Sequence, residues 1–340
     1  MAGELEAMVQ AKVAEAPRRL DNAKLYLDQR AVKGELVDNS RRKASVYLAL
    51  LFAVLAWGLS FLVIKNVVQT VPVFSLLFLR FAVASALLGT FAAIKGELRL
   101  PRRELLVLAG LSFLSPIGYF LFETFGVVYT QPSHVAAILA AIPTVVLLIS
   151  VLWHQESVTR GKVMGILIAY IGIFLLVVSG GAEQGASVQG DVLVLGAVLC
   201  AAIRTVIVKD VLGRVTALQL TFYQFFFSLF VFGPLAITEQ GSWHLQVTPA
   251  TVLEILFLGV LCSAGAFFAL HYALTYLPAT KVATSTNLIP IITLFAEMLL
   301  MGTSLTLLKG LGVATTIVGV TLTQFGGRYR RTLALTIEED

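Results

Sequence analysis

The chain has 340 residues, of which 58% are hydrophobic and only 13% charged, with a formal net charge of +5 and a mean hydropathy of +0.88. Soluble domains carry about 25% charged residues, so a soluble globular chain is excluded and an integral membrane protein is expected. The basic residues fall in short clusters between apolar runs rather than in one patch, which argues against nucleic acid as a partner and for topology signals.

Residues 1–43 are polar, with basic and acidic positions interspersed. No apolar stretch follows an early basic start, so they do not form a signal peptide; they read as a solvated, partly helical amino-terminal extension. Ten apolar spans follow, at 44–64, 72–94, 104–127, 132–153, 161–179, 190–212, 217–237, 250–275, 280–301 and 308–326, with a tail at 327–340. Each run is long enough to cross a hydrocarbon core of about 30 Å as a helix, and none alternates with the period of two that a barrel strand would show. With the first residue inside, the cytoplasmic segments from Arg41 onward hold fifteen lysines and arginines while the outer loops hold only Lys65 and Lys309. This bias places both termini in the cytoplasm.

One passage is written twice. "VAAILAAIPTVVLLISVLW" begins at Val135 and "VATSTNLIPIITLFAEMLL" at Val282, and a shift of 147 positions brings Pro143 onto Pro290, Thr159 onto Thr306, Gly165 onto Gly312 and Gly172 onto Gly319. More weakly, Lys65 falls near Lys209, and "FGVVYT" near "YALTYL". A unit of five spans is odd in number, so its second copy enters the membrane in the opposite sense. The expected fold is therefore all-α and membrane-integral, ten transmembrane helices built as an inverted five-plus-five repeat over 44–179 and 190–326. Such repeats place a substrate site near the midplane at their junction and expose it alternately to each side.

The residues that carry this pattern resemble the EamA-like branch of the drug/metabolite transporter superfamily. "AWGLSF" around Trp57 is similar to the first-helix motif of that family, "PVFSLLFLRF" ending near Arg80 to its second helix, and the two proline-centred passages to its fourth and fifth and its ninth and tenth. The sequence departs from strict internal symmetry where Thr303 stands opposite Glu156 and Gln224 near the place of Arg80. The resemblance implies a secondary carrier for small metabolites, commonly an exporter of amino acids or their analogues; nucleotide-sugar and sugar-phosphate carriers share the wider fold and are the alternative. A bacterial inner (plasma) membrane is the expected location, with a small-molecule substrate and the lipid bilayer as partners, protons or a counter-substrate as candidate companions, and a monomer or homodimer as the assembly.

Ionisable groups at membrane depth are functional candidates by default. Arg80, in the middle of the second span, either grips a substrate carboxylate or pairs with an internal acid. Glu123 and Glu297 fall about 10 Å outward of the midplane at 1.5 Å per residue; each is a partner for Arg80 or a proton-coupling carboxylate. Arg204 either reads the substrate anion or snorkels inward, and His271 either titrates or is held in a helix interface. Pro143, Pro290 and Asn287 mark matching kinks that free backbone groups, and Pro116 bends the third span, turning Tyr119 to the cavity. Trp57, Tyr119, Phe222, Tyr223 and Tyr272 are candidate aromatic lining, and Gln224 a polar contact. Substrate binding is thus expected at Trp57, Arg80, Tyr119, Arg204, Gln224, Tyr272 and Asn287, and gating or coupling at Glu123, Pro143, His271, Pro290 and Glu297. Gly161, Gly165, Gly172, Gly310, Gly312 and Gly319 suit close helix packing.

Cys200 and Cys262 sit in apolar runs without metal-ligand spacing, so neither a disulfide framework nor a metal or other cofactor is expected. No phosphate-binding Gly-x4-Gly-Lys-Ser/Thr run occurs, which excludes an ATP-driven pump, and no His-Glu-x-x-His or Gly-x-Ser-x-Gly points to an enzyme. A membrane receptor or scaffold is the rival from another class, and it would leave the inverted repeat without a purpose.

Overall fold

A computed structural model describes residues 42–130, 132–153, 159–179, 188–239, 248–301 and 307–325. The chain divides into two compact units, Met1–Leu48 and Ala49–Asp340. Of the first, only the opening turns of a helix are described, and the architecture below is that of the second. Most of the amino-terminal extension and the 327–340 tail lie outside the described residues.

All regular structure among the described residues is helical, with no strand among them. In chain order they form α1 (Arg42–Val67), α2 (Val73–Ile94), α3 (Arg102–Tyr129), α4 in two segments (Pro132–Leu139 and Ile142–Leu152), α5 (Arg160–Ser179) and α6 (Val188–Val211). Then come α7 (Ala217–Thr238), α8 (Pro249–Tyr276), α9 in three pieces (Ala279–Ser285, a 3-10 turn Thr286–Leu288, and Ile289–Met301) and α10 (Leu307–Phe325). These follow the ten expected spans with ends displaced by a few residues. Seven of them, α1, α2, α3, α6, α7, α8 and α9, are long and apolar enough to cross a membrane. Proline starts several: Pro72, Pro101 and Pro278 stand at the N-caps of α2, α3 and α9, and Pro249 opens α8, where its missing N–H forfeits no helical bond. At α7 the start is a capping box, the Thr216 hydroxyl accepting from the Gln219 N–H at 3.1 Å while the Gln219 side chain accepts from the Thr216 N–H at 3.0 Å.

Large apolar side chains point outward, Leu106, Leu152 and Leu299 among them, while Arg80, Glu123, Arg204 and His271 are buried. That inversion suits a chain whose solvent is lipid: polar groups must find partners inside, and apolar ones need no cover.

Three sets of contacts repeat between the halves. On α5 and α10, a Cβ added at Gly172 would collide with the backbone of Gly312 and Thr316, and one at Gly319 with that of Gly165 and Ala169. Each pair becomes the other under the shift of 147, and the two helices run antiparallel. Glycine is required there because the backbones themselves touch. On α2 and α7, the Glu239 carboxylate beyond the end of α7 accepts from the N–H groups of Phe74 and Ser75 (3.2 and 2.8 Å) and from the Ser75 hydroxyl (3.0 Å) at the start of α2. Reciprocally, Glu97 beyond the end of α2 accepts from the Thr216 hydroxyl at 2.6 Å at the start of α7. An acid beside a helix amino terminus is favoured by both the free N–H groups and the dipole. In the third set, the Lys65 ammonium at the end of α1 donates to the carbonyls of Val127, Val128 and Thr130 (2.9, 3.3 and 3.1 Å) at the end of α3. Lys209 near the end of α6 donates to Leu274 and, at 2.8 Å, to Leu277 at the end of α8. A cation thus satisfies the last carbonyls of α3 and of α8 at positions matched by the same shift.

Candidate functional site

A cavity of about 60 Å³ lies between the halves, walled by residues of α1, α2, α3, α4, α6, α8 and α9. Breaks in four of these helices shape it. In α3 the ladder widens to a π-type turn over Phe113–Gly118, where Ser115 is extended (φ −158°, ψ 128°) ahead of Pro116. Proline lacks an N–H and its ring collides with the carbonyl four residues back, which disrupts the helix there, and Ser115 and Tyr119 on either side line the cavity. In α8 a longer π-type stretch, Phe257–Gly265, occupies the corresponding place, and the Cys262 carbonyl within it accepts the Trp57 indole N–H at 3.0 Å. Such widenings recur at functional sites because they leave backbone groups outside the regular ladder. In α4 the helix breaks at Ala140 and Ala141, just before Pro143, and in α9 at Thr286–Leu288, just before Pro290. Ala140, Ile142, Thr286 and Ile289 from the two breaks face the cavity. Gly58 lets α1 sit against α9, since a Cβ there would lie 2.5 Å from Ile292.

The charged lining comes from three helices. Arg80 of α2 is 1% exposed; its Nε donates to the Ser263 hydroxyl at 3.0 Å, its guanidinium carbon lies 4.5 Å from the centre of the Phe120 ring, and one terminal nitrogen, Nη1, has no hydrogen-bond partner among the described residues. Glu123 of α3 lies one turn beyond Tyr119 and is 3% exposed, with Oε2 unpartnered. Arg204 of α6 is 4% exposed. Its Nη1 meets His271 Nε2 at 2.7 Å, its carbon lies 5.4 Å from the centre of the Phe267 ring, and its Nε is unpartnered. The Phe120 and Phe267 rings are themselves 5.5 Å apart, so each guanidinium rests on one member of a touching aromatic pair, an arrangement favoured by the ring quadrupole.

Donor logic fixes the state of His271. A guanidinium only donates, so Nε2 accepts, and the ring is neutral with its proton on Nδ1. That N–H donates to the Thr221 hydroxyl oxygen at 2.7 Å, and the Thr221 O–H donates onward to the Ala217 carbonyl at 2.6 Å. The chain of bonds runs one way, from Arg204 through His271 and Thr221 into the backbone of α7.

Of the residues singled out in the sequence, Trp57, Arg80, Tyr119, Glu123 and Arg204 line the cavity together. His271 stands behind Arg204, and Pro143, Pro290 and Asn287 sit at the breaks rather than on the wall. Asn287 is buried with Oδ1 unpartnered. Gln224 is buried in α7 away from the cavity, and Tyr272 lies against Phe268 and Tyr276. Phe222 packs on Gly89, and the Tyr223 hydroxyl donates to the Leu98 carbonyl. The Glu297 side chain lies outside the described residues. Ser263, which takes the Arg80 Nε–H, and the platforms Phe120 and Phe267 were missed by sequence reasoning. A serine inside an apolar run at the position matching Pro116 was the available signal for the first; a phenylalanine among 22 gives none.

Comparison with known proteins agrees with this architecture. The model of the EamA-like transporter family matches residues 44–178 and again 188–325. An uncharacterised transporter of Bacillus subtilis, YcxC, is 28% identical over 295 residues, covering 82% of this chain and 92% of its own. A probable amino-acid metabolite efflux pump of Salmonella typhimurium is 26% identical over 295 residues, covering 84% and 96%. A crystal structure with 17% identity superposes with a TM-score of 0.70 over 84% of this chain and 98% of that one, a likeness of fold. The chain is an integral membrane protein and belongs to the EamA-like transporter family.

Proposed function

We propose that this transporter exports amino acids or their analogues across a bacterial inner membrane by alternating access around the cavity between its halves, with both termini in the cytoplasm. The observation that carries the reading is the meeting of Arg80, Glu123 and Arg204, all buried, around a single cavity that the broken helices α4 and α9 also wall. Buried charges with unpartnered atoms are expensive in lipid unless a ligand or water meets them. The breaks before Pro143 and Pro290 are the points where the two halves can flex. Relatives in Salmonella typhimurium and Escherichia coli bear the name of probable amino-acid metabolite efflux pumps, which supports the substrate class. In this reading Arg80 and Arg204 hold an anionic group, Trp57 and Tyr119 supply the aromatic wall, and Glu123 or Glu297 couples protons where coupling exists.

The test is uptake of a labelled amino-acid panel into proteoliposomes, with and without a pH gradient, for the native chain and for Arg80→Ala, Pro143→Ala and Pro290→Ala. Saturable flux is expected, abolished in the first variant and slowed more than weakened in the other two. Absence of flux for every amino acid and analogue would overturn the reading and favour phosphorylated or nucleotide-linked solutes.

A further inference from the structure

Among the described side chains, the charges around the cavity do not balance, and the imbalance has a fixed sign. The described side chains lining it include two guanidiniums, Arg80 and Arg204, and one carboxyl, Glu123. Neither arginine can give up its proton. With Glu123 ionised, two positive charges less one negative leave +1; with Glu123 protonated they leave +2. His271 adds nothing, because its bond to Arg204 holds it neutral, and the rings of Phe120 and Phe267 offer a favourable face without a net charge. The sum over the described side chains is therefore positive whichever state Glu123 adopts.

We infer that the cavity selects substrates of net charge −1, carboxylates lacking a compensating ammonium group, over zwitterions of the same size. The inference rests on the transport reading above and deepens it. A zwitterion brings as much positive charge as negative and leaves the buried excess in place, whereas a monoanion cancels it with Glu123 ionised. The unpartnered nitrogens, Nη1 of Arg80 and Nε of Arg204, are donors suited to carboxylate oxygens. Within amino acids and their analogues, this singles out acidic amino acids and N-acylated ones.

The experiment uses the full-length chain in proteoliposomes at pH 7.5 and compares initial uptake within two matched pairs of labelled probes, L-glutamate against L-glutamine and N-acetyl-L-leucine against L-leucine. The anionic member of each pair is expected to be favoured by about tenfold or more, the scale of one hydrogen-bonded charge. Arg204→Gln, which lowers the sum by one, should bring the ratio near unity, and Arg204→Lys, which keeps the charge, should retain most of the preference. Glu123→Gln should shift preference towards the dianion N-acetyl-L-glutamate. Equal or faster uptake of leucine and glutamine would overturn the inference while leaving amino-acid transport intact. So would an unchanged ratio in an Arg204→Gln protein that elutes as a single species. No uptake of any probe would instead take down the transport reading, and the inference with it.

Discussion

Replacing His271 by leucine isolates the role of the neutral imidazole behind Arg204. The side chain is fully buried, and leucine fills a similar volume, so the main loss is chemical. Arg204 Nη1 forfeits a 2.7 Å bond to Nε2, and a hydrogen bond to a charged group contributes about 1.5–3 kcal/mol. Because Nε of the same guanidinium is already unpartnered, the variant leaves a cation buried with two nitrogens lacking partners, which raises the expected loss to about 3–4 kcal/mol. Thr221 keeps its donation to Ala217 and adds little. The assay is thermal unfolding of detergent-purified protein, with two controls. His271→Gln offers both an acceptor for Arg204 and a donor for Thr221 and should recover at least half of the loss. Thr221→Val strands the Nδ1 proton and should cost about 1–3 kcal/mol. If His271→Leu melted with the native protein and His271→Gln did not exceed it, the one-way chain of bonds would be refuted.

The backbone contact between α5 and α10 makes Gly172→Leu and Gly319→Leu severe: both side chains collide with main-chain atoms that cannot move aside, and the one at Gly172 also with the Thr316 hydroxyl, so a loss of about 3 kcal/mol or more and little folded protein is expected. Gly310→Ala, in the same α10 but with open space at its Cβ, should be neutral or stabilising by up to about 1 kcal/mol; size-exclusion yield of the three variants checks this contrast. Lys65→Met and Lys209→Met each strip a cation from helix-end carbonyls, and each should lower stability by about 1–3 kcal/mol in thermal unfolding. A null result for both would mean that water replaces the ammonium without loss.

Much of the architecture was legible because lipid imposes it. A bilayer demands apolar runs of set length, so ten spans could be counted, and a duplication preserves spacing, so one shift paired Gly172 with Gly319 and Pro143 with Pro290. In the sequence Lys65 and Lys209 form only a weak match; their use is visible only where α1 lies beside α3 and α6 beside α8. The charged wall of the cavity was legible for the same reason as the spans, since Arg80, Glu123 and Arg204 are rare letters in an apolar text. What sequence could not supply was direction around the helix axis. Gln224 sits at a plausible depth yet faces into the packing of α7, and Tyr272 turns to Phe268 and Tyr276. His271 had two readings, and only the neighbouring Arg204 and Thr221 decide between a titrating group and a fixed acceptor.

Arg80 and Arg204 belong to different halves of the chain, one on α2 and one on α6, and no direct contact joins them among the described side chains. Their partners differ too: Ser263 and Phe120 for one, His271 and Phe267 for the other. Without ligand the two sites are coupled, among the described side chains, only through the contact of the Phe120 and Phe267 rings and the mutual repulsion of two cations beside one cavity, which sets a baseline coupling when both are changed. A carboxylate that bridges them would make them dependent on each other, because removing either guanidinium already frees the ligand from one side. Arg80→Gln, Arg204→Gln and the double variant should therefore show that baseline coupling in melting without ligand. Their losses in ligand-induced stabilisation by N-acetyl-L-leucine should instead be strongly non-additive, the second substitution taking away little that the first had left. Coupling with ligand no greater than the baseline without it would mean that the ligand touches at most one of the two. Only a ligand held from both halves gains or loses contacts as one half moves against the other, and differential contact between two conformations is what lets occupancy bias them.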